Sequence, residues 1–194
     1  PTITLHARNP DKSVTLGGRQ SIFVPMTGAP YLRDLEDVRR APTLEDLATF
    51  HKLSHMLPAM HSSAHHIVEP MDHPISHRHL RITHSSILHS DKTFMGMTTS
   101  GRNAEDVLDM AAILFGAEYL ETRAVVVGNC NGNSPLVWDE TMLSAMRAFN
   151  LRNQPVLCSP FVLGGANTPA STVPTVAQLN AEALSALAYT QLIR

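Results

Sequence analysis

The side chains of this 194-residue sequence that could do chemistry gather in a few short segments punctuated by glycine and proline. Gly128-Asn129-Cys130-Asn131-Gly132-Asn133-Ser134-Pro135 follows an apolar β-branched run and offers amides, a thiol and a hydroxyl. Gly164-Gly165-Ala166-Asn167-Thr168-Pro169 follows a second such run, Val156 to Leu163, which carries Ser159 and Phe161. Glu69-Pro70-Met71-Asp72-His73-Pro74 supplies two carboxylates. Ten of the eleven histidines lie between His51 and His89 and include His61-x-x-x-His65-His66 and His73-x-x-x-His77-x-His79. An i, i+4 histidine pair on a helix can ligate zinc, but no H-E-x-x-H is present and neither cysteine is near. Zinc is therefore discounted, no metal ligand is assigned, and the histidines are expected to be scattered over surface and loops. Cys130 and Cys158 are expected to be buried free thiols.

The elements that must position these segments follow a repeated strand, loop, helix grammar. Thr2 to Leu5 and Ser13 to Leu16 alternate and suggest a small hairpin, so residues 1–20 read as an N-terminal extension ahead of a domain over 21–194. Strands are expected at Ser21–Met26, Ala64–Glu69, Thr93–Met97, Ala124–Val127 and Val156–Leu163. Helices are expected from Thr43 to about Leu57, from Ile75 to about Leu88, from Glu105, from Asp139-Glu140 and from about Pro174. Five strands alternating with five helices predict a parallel α/β fold. No G-x-G-x-x-G or G-x-x-x-x-G-K-[ST] follows a strand, which removes nucleotide folds and a nucleotide cofactor and favours a (β/α)8 TIM barrel with about five βα units in this chain. In such folds ligands bind at the loops after the strands, so the segments above are where a site is expected.

A formal net charge of -2 gives no electrostatic footprint for nucleic acid or an anionic membrane. No apolar run reaches the roughly 20 residues of a membrane span and the start has no signal-peptide layout, so a cytoplasmic protein is expected. The last helix ends without a cap or a following strand, as expected for a piece of something longer.

The segment from Gly164 to Pro169 followed by Val173-Pro174-Thr175-Val176-Ala177-Gln178-Leu179-Asn180-Ala181-Glu182-Ala183-Leu184 resembles the trimethylamine:corrinoid methyltransferase family, in which a glycine-rich turn precedes a helix with an Asn-Ala-Glu-x-Leu signature. Weaker matches follow the same order: Gly28-Ala29-Pro30-Tyr31 with Asp34, Arg39-Arg40 and Thr43 to Leu47; Glu69 to Pro74; and Asn133 to Leu136. The resemblance implies a (β/α)8 barrel, transfer of a methyl group from trimethylamine or a betaine-like quaternary amine to the Co(I) corrinoid of a partner protein, and a homo-oligomer. A methyl on cationic nitrogen already has its leaving group and Co(I) is the nucleophile, so the protein need only orient the ammonium, exclude water and dock the cofactor. On that reading Glu69 or Asp72 is the counter-charge, and Asn129, Asn131, Asn133, Ser134, Ser159, Asn167 and Thr168 are polar contacts. Trp138 or Phe161 offers the cation a π face.

Plainer readings stand beside these. Asn and Gly tolerate left-handed turns, Glu69 and Asp72 can cap a helix or sit in a solvated turn, and Asn180 and Glu182 are expected to pack or hydrogen-bond between elements. Two rivals are a zinc-thiolate methyltransferase using Cys130 and Cys158, for which the Gly-Cys-Cys type of cluster is lacking, and a non-catalytic assembly piece of a barrel.

Overall fold

In chain order the elements are a hairpin of β1 (Thr2–Leu5) and β2 (Val14–Gly17), a second hairpin of β3 (Leu32–Arg33) and β4 (Arg39–Arg40), and α1 (Leu44–Met56) with α2 (Ile75–His89). Then come β5 (Phe94–Gly96), α3 (Gly101–Phe115), α4 (Ala117–Thr122), β6 (Val126–Gly132), α5 (Glu140–Leu151), β7 (Val156–Pro160) and α6 (Thr172–Ile193). This is a computed structural model, and it describes residues 2–193.

The helix starts follow from their capping residues. Thr43 and Asp46 form a reciprocal capping box at α1, Ser100 accepts from the Asn103 N–H at α3, and Asp139 accepts from the Met142 N–H at α5. Gly116, at φ 96°, ends α3. α3 begins at Gly101 rather than at Glu105, because Ser100 and not the acidic pair supplies the cap.

β5, β6 and β7 form a parallel sheet in that order, with Met95 beside Val127 and Cys130 beside Cys158. One face packs on helices: Phe94, Val126, Cys130 and Val156 join Val107, Leu108, Met146 and Phe149 in the main core. The Phe149 ring lies over two strand glycines. A Cβ on Gly96 would stand 2.7 Å from its Cζ, and one on Gly128 3.1 Å from its Cε2. Glycine inside a strand here marks the close approach of a ring. Gly96→Ala is expected to lose about 1–3 kcal/mol by overpacking, read as a lower urea midpoint.

The β1–β2 hairpin covers the amino-terminal end of the sheet. Leu5 and Val14 bury against Met95, Ala124 and Val127, the His6 N–H donates to the Ala124 carbonyl at 2.8 Å, and Lys12 Nζ meets Asp91 at 2.6 Å. With that end covered, the carboxyl ends of the strands are left for a ligand.

Three regular parallel strands are present where five were expected, and among the described residues they do not close into a barrel. Ser21–Met26 and Ala64–Glu69 are not strands. Single parallel bridges stand in their place: Ser62 pairs with Thr93 just before β5, and Ala29 pairs with Val68, joining the two segments to each other. The cause lies in their own side chains. The Thr93 carbonyl accepts the Ser63 N–H at 2.9 Å together with the hydroxyls of Ser62 and Ser63, and Ala64 then turns at φ 55°, which breaks the extended run. Pro25 has no N–H to give, and the Phe23 N–H goes to His61 Nδ1. β6 differs in the other direction: it runs on to Gly132 instead of stopping at Val127, because β7 pairs with it that far.

Candidate functional site at the carboxyl end of the sheet

Asn129 and Asn131 therefore lie on a strand and not in a left-handed turn. Side chains alternate along β6, so the two amides share the face opposite Cys130. A cleft of about 260 Å³ opens at this end, between the ends of β5 and β6 and the segments around Gly28 and His65-His66. Thr98, Asn129, Asn131 and His66 give its wall polarity, and Met95, Met97 and Met142 give it apolar surface. The Thr98 hydroxyl donates to the Asn129 carbonyl at 2.6 Å, and the Ser159 hydroxyl to Asn129 Oδ1 at 3.0 Å. The first bond holds the Asn129 backbone and the second its side chain, leaving Nδ2 as a donor. Asn131 is exposed and its amide has no partner among the described residues.

Ser134, Asn167, Thr168 and Trp138 form a second group tied to α6, and Asn133 stands beside it. Glu182, 2% exposed, is its centre. Its carboxylate accepts from Ser134 Oγ at 2.5 Å, the Leu136 N–H at 2.8 Å and Gln178 Nε2 at 2.8 Å. Trp138 Nε1 donates to the Glu182 carbonyl at 3.1 Å. Burial alone would raise the Glu182 pKa, but these donors hold it below the usual carboxylate value. Asn167 donates to the Phe161 carbonyl at 2.7 Å and accepts from the Leu163 N–H at 2.6 Å, while Thr168 donates to the Leu163 carbonyl. Asn133 binds Asp139, the cap of α5. The group clamps the loops after β6 and β7 onto α6. Glu182 thus has the inter-element role expected for it, whereas Asn180 is exposed. Phe161 is 61% exposed and keeps a free ring face.

Glu69 and Asp72 lie outside the cleft wall. Arg78 Nη1 meets Glu69 at 2.9 Å, and Asp72 accepts the Leu44 N–H at 3.0 Å, adding a second cap to α1.

The histidines depart most from expectation. His51, His65 and His79 are buried, and His65 and His66 line the cleft. Their position beside the Ser62-Ser63 segment, itself irregular, is what sequence periodicity could not show. Burial pushes His51 down to about 4, only partly offset by its bond to the His65 carbonyl. The unfolded chain then binds more protons than the folded one between the ordinary histidine value and 4. Stability is complete above about pH 6.5 and is lost as pH falls toward 4, by about 2 kcal/mol at pH 5 from this residue. Urea midpoints at pH 7 and 5 check this, and His51→Gln is expected to flatten the difference.

Among the described residues no three His, Cys, Asp or Glu side chains converge in a metal-binding group. Cys130 is buried and Cys158 half-buried, and both sulfurs sit on the helix side of the sheet. Burial pushes the Cys130 thiol up to about 12 and raises Cys158 as well, so neither is set up as a thiolate ligand facing the cleft.

The chain matches the family described as "Trimethylamine methyltransferase (MTTB)" over residues 1–194. It is 40% identical over 191 residues to "Glycine betaine methyltransferase" of Desulfitobacterium hafniense (strain Y51), a match that covers 98% of this chain and 40% of that relative. The chain therefore spans about 40% of the length of the curated relative. No helix among the described residues is long and apolar enough to cross a membrane. A family match over the whole chain, with a relative of this similarity, places the chain in the trimethylamine methyltransferase (MTTB) family.

Proposed function

We propose that this chain supplies the substrate end of a (β/α)8 barrel that moves a methyl group from a methylated amine, trimethylamine or a betaine-like quaternary amine, to the Co(I) corrinoid carried by a partner protein. The observation that carries this reading is the cleft at the carboxyl ends of β5 and β6, walled by neutral polar groups and thioethers, in a chain of this family. The reaction asks the protein for orientation and dryness more than for acid or base. Asn129 and Asn131 orient the amine, Ser159 and Thr98 hold Asn129 in place, and the methionines keep water from the reacting methyl. Phe161 supplies the π face for the cation. Ser134, Trp138 and Asn167 shape the rim through Glu182 and its partner Gln178, Thr168 through Thr175, and Asn133 through Asp139. Glu69 and Asp72 act at a distance, as charges already paired with Arg78 and with the start of α1.

The corrinoid is a co-substrate delivered by another protein, and the exposed apolar rim of Leu136, Val137, Phe161 and Leu163 suits a docking partner. A homo-oligomeric, cytoplasmic enzyme belongs to the same reading, supported by the family membership. The test mixes the full-length protein with a panel of tertiary and quaternary methylamines and a reduced corrinoid, and follows both loss of the Co(I) absorbance and the demethylated amine. One amine is expected to react well above the others. A folded protein that demethylates none of them would overturn the reading.

A further inference from the structure

The cleft contains one polar atom whose state is set by a chain of buried hydrogen bonds reaching into α2. The Thr83 hydroxyl donates its single proton to the His79 carbonyl at 2.8 Å. His65 Nε2 lies 3.3 Å from the same oxygen, which has only lone pairs left to offer, so Nε2 must carry a proton and donate. His65 is buried and burial drives its pKa well below the ordinary value, so it is neutral and its Nδ1 is a bare acceptor. His66 Nδ1 stands 3.0 Å from that acceptor and must therefore be the protonated nitrogen. His66 is also favoured as neutral by burial, against the opposing influence of Glu69. Its Nε2 is then a lone pair, without a hydrogen-bond partner among the described residues.

That nitrogen lies on the cleft wall beside Gly28. A Cβ on Gly28 would come to 3.4 Å from His66 Nε2, so the glycine, required anyway by φ 79°, leaves the nitrogen uncovered. The backbone fixes the approach, because the Gly28 N–H donates to the His66 carbonyl at 2.7 Å. Asn129 Nδ2 and the Asn131 amide offer donors nearby, and no carboxylate lines this cleft.

We propose that His66 is the cleft's hydrogen-bond acceptor for substrate, held in the Nδ1–H tautomer by His65 and Thr83, and that its Nε2 receives the N–H of a protonated tertiary amine. This rests on the methylamine reading and adds a selectivity to it. A quaternary ammonium has no N–H to give, so His66 distinguishes the two classes of amine while the thioethers of Met95, Met97 and Met142 treat them alike. His65 and Thr83 are positioning residues. No proton is transferred: the N–H stays on nitrogen when the methyl group leaves, and the departing dimethylamine keeps the bond to Nε2.

The test uses the full-length protein at neutral pH, with trimethylammonium and tetramethylammonium as probes in calorimetric titrations. His66→Phe is expected to weaken trimethylammonium about tenfold, the worth of one hydrogen bond, and to leave tetramethylammonium unchanged. Thr83→Val is expected to lower the same ratio and Thr83→Ser to restore it, which a merely structural role would not do. Histidine-selective 15N spectra, assigned by difference with His66→Phe, should show His66 protonated at Nδ1. Equal losses for both probes, an unchanged ratio, no binding of either probe, or His66 protonated at Nε2 would each overturn the proposal. The tautomer and the affinity ratio do not depend on turnover. A ratio that falls as expected in His66→Phe, without methyl transfer by the parent protein, therefore sinks the methyltransferase reading alone, and methyl transfer by the parent with no change of ratio in His66→Phe sinks this inference alone.

Discussion

Phe149→Ala is expected to cost about 3–5 kcal/mol, the loss of a fully buried aromatic side chain with the cavity it leaves. Phe149 is completely buried, and its ring is the element of α5 that reaches the sheet, covering Gly96 on β5 and Gly128 on β6. Directly under the ring both strands present glycine and have no side chain to offer, and Val107 and Val126 border the space. The cavity would persist, which places the cost at the upper end of the range. Urea unfolding checks it, with an unchanged slope and a lowered midpoint expected. Phe149→Leu should recover part of the loss. If alanine were tolerated within about 1 kcal/mol, a small fraction of the range quoted above, the packing of α5 described here would be wrong.

Gln154→Leu is expected to cost about 3 kcal/mol or more, by a different route. Gln154 is 2% exposed and has similar volume to leucine, so burial of apolar surface barely changes. Its polar atoms hold the backbone where it enters β6. Oε1 accepts from Val125 N–H at 2.8 Å and from Val126 N–H at 3.3 Å, while Nε2 donates to the carbonyls of Leu120 and Arg123 at 2.9 Å each. Leucine would leave these groups buried without partners, each costing about 1–3 kcal/mol. Gln154→Glu keeps the acceptor but turns a second oxygen toward two carbonyls, so it should not rescue at neutral pH. Equal urea midpoints for the parent protein and the Gln154→Leu variant would contradict the bonding described.

These two positions show what is readable in the chain. The helices are legible because Thr43 and Asp139 announce their starts locally, although at α3 the Ser100 cap lies ahead of the acidic pair from which the start is expected, and β5 and β7 because apolar β-branched or aromatic runs sit between turn residues. Gln154 lies in the turn region between α5 and β7, where no periodicity marks a buried amide. The irregular segments at 21–26 and 64–69 read as strands because their composition is strand-like, while the bond from the Phe23 N–H to His61 and the turn at Ala64, visible only in three dimensions, act against regular pairing. Asn129 and Asn131 stand out in the sequence but read as loop residues, since Asn and Gly are turn formers until a neighbouring strand supplies the ladder. The polarity of Asn133, Ser134, Asn167 and Thr168 is equally visible, but not that most of it is spent on Glu182, Asp139 and backbone carbonyls. His65 and His66 escape a reading that weighs histidine spacing against metal sites, whereas their bonding here is to each other and to Thr83.

On the reading proposed here the methylated amine sits at the carboxyl end of β6, against Asn129. The decisive quantity is kcat/KM for amine demethylation by the full-length protein carrying Asn129→Ala, beside a Lys12→Ala control at the opposite end of the sheet. Asn129→Ala is expected to lower kcat/KM about tenfold, roughly the 1.4 kcal/mol of one lost hydrogen bond, with the control unchanged. A folded Asn129→Ala protein that demethylates at the parental rate would contradict this placement of the substrate.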